Sequence, residues 1–260
     1  MGVTRVRGED IRDATVVDAD LNLDQPTIGN FINANHDHSK SDQGGRAATP
    51  GYFYREMQFL KNPGAATITT VGFAAAPTTN GTLATGDDNT YGPLLVLVTG
   101  SSNGNTAYLH GTFSIVQRAW LPIFATRMYA HSTITNQRSW FGLFSADPTG
   151  FSTPTTVHLA AFRYATDVDG TAFWRCVTCD GASNVTTTTT SVAYIASTGY
   201  NLLITCDASS VQFAIDDVVV ATHTTNLPGI NTLTGPFDGI TTLTAASTRF
   251  RMGRMYLAHI

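Results

Sequence analysis

From about residue 106 strand-like runs recur at regular spacing, some of them alternating apolar with polar residues. Runs of this kind are Ala107–Ile115, Trp120–Ile134, Trp140–Phe144, Val157–Ala165, Ala172–Thr178, Ser191–Tyr194, Tyr200–Cys206, Val211–Ile215, Val218–His223 and Phe250–Ala258. Such alternation sets one face of a strand on a core and the other towards water. Turn formers separate the runs: Asp147-Pro148-Thr149-Gly150, Asp167-Val168-Asp169-Gly170, Asp180-Gly181, Asp207-Ala208-Ser209-Ser210 and Asp216-Asp217. Short strands at even spacing, with no convincing helical period, predict an all-β antiparallel sandwich.

The first hundred residues follow a different pattern. Leu94–Val98 is continuously apolar and predicts a strand buried on both faces. Thr67–Val71 reads as a strand, and Ala74 to Asn89 as a long Gly/Thr/Asp loop. Tyr52–Leu60 is rich in aromatics, and its period does not choose between strand and helix. Further back, Ile11, Val16, Val17, Leu21 and Leu23 are sparse apolar residues among aspartates. Such a segment cannot offset its own chain entropy, so it orders only against a host such as another copy or a larger assembly. The polar stretch Asn33 to Gly45 then reads as a hinge. The expected organisation is an extended N-terminal arm at 1–45, a connecting β segment at 46–105 and a sandwich at 106–260.

Composition supports the β reading and excludes some partners. Charged residues make up 13% of the chain, about half the usual ~25%, and Thr, Ser, Asn and Gly take their place. Thr suits half-buried pleated strands. A net charge of -4 argues against a nucleic-acid partner or an anionic membrane surface. No apolar run approaches the ~20 residues that span a bilayer, so membrane insertion is not expected. The N-terminus does not read as a secretory signal. Cys176, Cys179 and Cys206 are too few for a disulfide framework. In a strand the Cys176 and Cys179 thiols point to opposite sides, which reads as buried free thiols and fits synthesis in a reducing compartment.

Within the hinge, His36 and His38 face one way if the stretch is extended. A hinge with His-x-His-Ser ending in Gly44-Gly45, after Ile/Val/Asp/Ala segments, resembles trimeric spike, fibre and capsid-decoration proteins of tailed-bacteriophage virions. The resemblance covers roughly residues 8–50. It implies a homotrimer with three arms on one axis, and a metal site in which His36 and His38 of each chain present imidazoles to an iron ion. Imidazole suits such divalent transition metals. The residues alone also fit a solvated loop. The resemblance further implies a virion surface protein made in the host cytoplasm, with capsid or tail proteins as partners and a host surface glycan as a possible target.

Residues 107–260 carry a second resemblance. The three-strand meander from Tyr200 to His223, with Trp140–Phe144 and Phe162–Tyr164 as front strands, resembles concanavalin A-like and laminin G-like jelly rolls. Asp217 stands where that family usually has Gly. The fold hosts lectins, hydrolases and inert modules. Glycosidases of this fold use two carboxylates, usually glutamates, yet residues 57–260 contain no Glu. An aspartate pair could substitute, and Asp167 with Asp169 is the candidate, but both read first as hairpin-turn residues; as calcium ligands they lack the longer pattern. Gly100-Ser101-Ser102-Asn103-Gly104 matches a nucleophile elbow in letters, but a strand rather than a helix follows it. The expectation is therefore a non-enzymatic structural protein, with a glycan-active enzyme of the same fold as the alternative. Trp140, Trp174, Arg138 and Asn136 are the candidate glycan contacts, against a reading of both tryptophans as sandwich core.

Overall fold

The computed structural model describes residues 53–58, 73–76, 82–88, 92–111, 113–148, 152–153, 155–170 and 173–259. The arm, His36, His38 and the strand expected at Thr67–Val71 lie outside them. The described residues form two antiparallel sheets, consistent with a jelly roll. Sheet I has the order β14 (Val218–His223), β13 (Val211–Ile215), β12 (Gly199–Cys206), β7 (Ile123–Ala130), β16 (Arg249–His259), β4 (Gly92–Val98) and β3 (Thr82–Asp88). β4 pairs with Arg249 to Met252 of β16, and β1 (Phe53–Gln58) with Arg254 to His259. Sheet II has the order β11 (Val185–Ala193), β10 (Phe173–Asp180), β9 (His158–Ala165), β8 (Gln137–Phe144), β15 (Leu233–Thr242), β5 (Thr106–Gly111) and β2 (Phe73–Ala76). The short β6 (Val116–Gln117) pairs with the start of β15.

The alternating residues meet between the sheets. Phe124, Met128, Leu202, Ile204, Phe213 and Phe250 from sheet I pack with Leu109, Phe141, Phe162 and Trp174 from sheet II. Their rings meet edge to face, with Phe141 5.1 Å from Phe250 and Phe162 5.3 Å from Phe213, the geometry aromatic quadrupoles favour. Cys176 lies in this core, whereas Cys179 joins a second apolar cluster on the outer face of sheet II. The two thiols thus diverge as strand geometry requires.

Several sequence expectations change. The loop expected over Ala74 to Asn89 contains parts of two strands, β2 and β3. The segment Tyr52–Leu60 contains the strand β1. In β4, Leu95 and Leu97 are core residues, but Val96 and Val98 on the other face are only half-buried. The run expected from Trp120 is broken by a 3-10 turn, Arg118–Trp120, and by Leu121 at φ 51°. The longest departure is β15, a ten-residue strand that alternation does not mark. Its two glycines, Pro236 and Asp238 all read as strand breakers. Pro236 is tolerated because β5 pairs with β15 only from Phe237 onward. The β13–β14 turn is built on Asp216 and Asp217, both left-handed at φ 48° and 66°. Those angles are what a two-residue type I′ hairpin demands, usually of Asn or Gly. The Asp216 carboxylate accepts from the backbone and side-chain nitrogens of Asn201, which holds the turn against β12.

Candidate functional site

The outer face of sheet II gathers most of the buried charge among the described residues. On β8, β9 and β10 the residues between core positions point away from sheet I. Trp140 lies opposite Arg163 in register, and Arg163 opposite Arg175. The three side chains form one row across three strands, and Arg138 lies two residues from Trp140 on the same face of β8. The Arg163 guanidinium sits 5.3 Å from the centre of the Trp140 ring, within cation–π range.

Neighbouring guanidiniums repel, and the β9–β10 turn supplies the compensation. It presents Asp167 and Asp169, with Gly170 left-handed at φ 59°. Asp169 accepts from Arg163 Nε at 3.0 Å and from the second terminal nitrogen at 2.6 Å, the paired geometry in which Arg and carboxylate bind best. Arg175 Nε lies 3.3 Å from the same carboxylate. Arg163 also donates to the Ser152 carbonyl at 3.2 Å and the Thr153 hydroxyl at 3.3 Å. Arg138 forms a salt bridge with Asp167. Three arginines thus face two aspartates, and one positive charge is left over within this group.

Depth separates the two carboxylates. The Asp169 side chain is 5% exposed, and that of Asp167 is 33% exposed. Beside Asp167, Val168 and Phe173 present exposed apolar surface. The cluster therefore has a buried floor of Trp140, Arg163, Arg175 and Asp169, and an open rim of Asp167, Val168 and Phe173. Two buried donors, Trp140 Nε1 and Arg138 Nε, have no acceptor. Burying a donor without a partner costs about 1–3 kcal/mol.

Of the residues expected to touch a glycan, Arg138 and Trp140 are brought together here, but Trp140 is 1% exposed and packs in the outer apolar cluster with Phe144 and Phe237, so it supports the site and does not face solvent. Trp174 is not brought there: it is 0% exposed, on the opposite face of sheet II. Its place between Phe141 at 5.6 Å and Tyr200 at 5.3 Å makes it core. Asn136 is an exposed residue at φ 54° in the turn before β8, and its carbonyl accepts from Leu243 N. Arg163 and Arg175 were not expected at the site, whereas Asp167 and Asp169, read mainly as turn residues, were also the aspartate pair that could stand in for catalytic glutamates. The signal was present: each arginine sits beside an aromatic core residue, in Phe162-Arg163-Tyr164 and Trp174-Arg175, so strand alternation assigns it to the outer face. Among the described residues, no group of three His, Cys, Asp or Glu side chains could hold a metal ion.

By sequence, the chain matches no protein-family model and no curated protein. Its fold has many solved counterparts. A protein of unknown function from Shewanella oneidensis MR-1 superimposes with a TM-score of 0.60 at 15% identity, over 80% of this chain and 86% of that one. An endo-β-1,4-glucuronan lyase from the fungus Trichoderma reesei gives 0.53 at 8% identity, over 80% and 95%. A carbohydrate esterase from the Shiga toxin-encoding bacteriophage phi24B gives 0.52 at 14% identity, over 78% and 97%. These likenesses correct the expectation of a non-enzymatic chain, because glycan-cleaving enzymes are built on this fold over most of its length. The missing glutamate pair tests only one kind of glycan chemistry; elimination and ester cleavage do not require it. The likeness establishes the fold, a jelly-roll sandwich shared with carbohydrate-active enzymes.

Proposed function

We propose that this chain is a carbohydrate-active enzyme and that it meets its glycan at the rim of the Arg–Asp cluster on the outer face of sheet II. One observation carries the reading: the carboxylate of Asp167, 33% exposed and paired with Arg138, opens to solvent on the same turn as the exposed Val168, above a buried Arg163–Asp169 pair. Asp167 is the carboxylate of the pair that solvent reaches, so it is the one a bound sugar can touch. Phe173, 38% exposed, offers an aromatic face for the apolar side of a pyranose. Arginine forks suit carboxylate groups, so uronate-bearing polysaccharides head the order of substrates to try. The glucuronan lyase and the phage carbohydrate esterase of the same fold support a glycan target.

The setting we propose is a phage virion, as the hinge resemblance over residues 8–50 implies and the phage neighbour supports. In that setting three arms join on one axis, His36 and His38 of each chain meet around iron, and a host surface glycan is the substrate. The enzymatic reading is tested by product release from a panel of neutral and uronate polysaccharides, followed by mass spectrometry. Cleavage of at least one member is expected, with Asp167→Asn at least tenfold slower and Phe173→Ala raising KM. A panel left uncleaved and unbound, or an Asp167→Asn protein with full activity, refutes the assignment.

A further inference from the structure

A second cationic site lies on sheet I. Arg249 and Arg251 flank Phe250 on β16; Phe250 is buried in the core, so strand alternation turns both arginines outward. Arg251 lies opposite Tyr129 of β7 in register, and His131 follows the last residue of that strand. The turn before β12 closes the other side, where Ser197 N donates to the His131 carbonyl at 3.2 Å. Together with Ser132 these residues line a cleft of about 260 Å³, and no Asp or Glu is among its lining residues.

We propose that this cleft binds an oxyanion, a carboxylate or a sulfate group. The two guanidiniums supply charge and forked donors, which match planar or tetrahedral oxyanions. Serine hydroxyls at positions 132 and 197 line the same space and add neutral donors. The histidine adds a third nitrogen donor. Its Nδ1 accepts from Thr133 N at 3.2 Å, which leaves Nε2 to carry the proton of the neutral ring, 3.4 Å from Ser132 Oγ. Burial first, and then the positive charges of Arg249 and Arg251, hold the His131 pKa below its ordinary value. A bound anion offsets those charges and would draw a proton onto the ring. The volume admits a group such as a sulfate or the carboxylate end of a sugar acid, not a folded polymer.

The test is titration of the full chain with sodium sulfate and, separately, with sodium glucuronate, at constant ionic strength set by chloride. The readouts are calorimetry and the His131 ring-proton resonances. The expected result is saturable binding of at least one probe, with a rise in the His131 pKa. Arg249→Gln and Arg251→Gln should each weaken binding by about tenfold, the worth of one charge-assisted hydrogen bond. Circular dichroism checks that each variant keeps its fold. Sulfate preferred over glucuronate identifies an inorganic or ester sulfate as the ligand class, and the reverse order identifies a sugar acid. Binding no better than chloride, or unchanged in the doubly substituted protein, overturns the proposal. Glucuronate bound at the cluster on sheet II would register in calorimetry but would leave the His131 resonances unmoved and would survive the Arg249 and Arg251 changes, so the two sites are told apart.

Discussion

Asp238 should be protonated in the native protein, and its replacement by Asn should change stability in a pH-dependent way. The residue lies in the middle of the sandwich, paired in register with Leu109 on one side and Phe141 on the other, and it is fully buried. Thr126 Oγ1, from the opposite sheet, is 2.6 Å from Asp238 Oδ2 and 3.0 Å from the Arg254 carbonyl. A hydroxyl has one proton and cannot serve two acceptors. A protonated carboxyl resolves this by donating to Thr126, which then donates to Arg254. Burial raises the Asp238 pKa well above the usual carboxylate value, against the weaker opposing pull of the Thr126 hydrogen bond.

The sign follows from proton linkage. Above about pH 3.9 the unfolded chain releases this proton while the folded chain keeps it. The folded state therefore binds more protons, and stability falls as pH rises towards the native pKa. The slope is at most about 1.36 kcal/mol per pH unit and holds only up to the native pKa, so raising the pH from 5 to 7 removes up to about 2.7 kcal/mol. Asp238→Asn abolishes this term. Asn also brings an amide that packs and bonds differently, at a cost of about 1–3 kcal/mol, but that cost is the same at both pH values and cancels in the comparison. Urea unfolding of both proteins at pH 5 and pH 7, followed by tryptophan fluorescence, gives the four free energies. The stability difference between variant and parent should move in favour of the variant at the higher pH, by up to about 2.7 kcal/mol. An equal difference at both pH values would refute a protonated core carboxyl.

Other outcomes follow from the same reasoning. His223 joins the sheets, with its ring nitrogens 2.9 Å from the hydroxyls of Thr178 and Thr188; burial lowers its pKa. The unfolded chain takes up this proton below about pH 6.5 and the folded chain resists, so stability should fall on acidification from that point. His223→Gln should flatten that limb in urea titrations and cost about 1–3 kcal/mol at pH 7; an unchanged acid limb counts against the bridge. Removal of residues 1–45 should convert a trimer to monomers in light scattering, and a full-length chain that is already monomeric ends the trimer proposal. Elemental analysis should find about one iron per three chains, as three His-x-His pairs require, and the combined His36→Ala and His38→Ala changes should remove it. Metal-free parent protein would leave that stretch a plain hinge.

Fold class was readable in the chain because burial on one face of a strand imposes a period of two. Phe162, Arg163 and Tyr164 declare their faces locally, and so does the meander from Tyr200 to His223. The turns at Asp167–Gly170 and Asp216-Asp217 were legible for a similar reason, since few residue types adopt left-handed angles. The strand β15 was not legible. Its Gly235, Pro236, Asp238 and Gly239 look like breakers until β8 and β5 are set on either side, and only neighbours across the sheet show that Phe237 and Ile240 have partners to pack on. The sites depended on pairing in the same way. Trp140 and Trp174 look alike in sequence and both are buried, yet strand parity puts one in the outer apolar cluster beside arginines and the other in the core between the sheets. Arg163, Arg175 and Asp169 are spaced along the chain by a turn whose length does not state which charges meet. Their convergence, like the placing of Asp238 beneath Thr126, depends on the register between strands, and register is a property of the assembled sheets and not of any single segment.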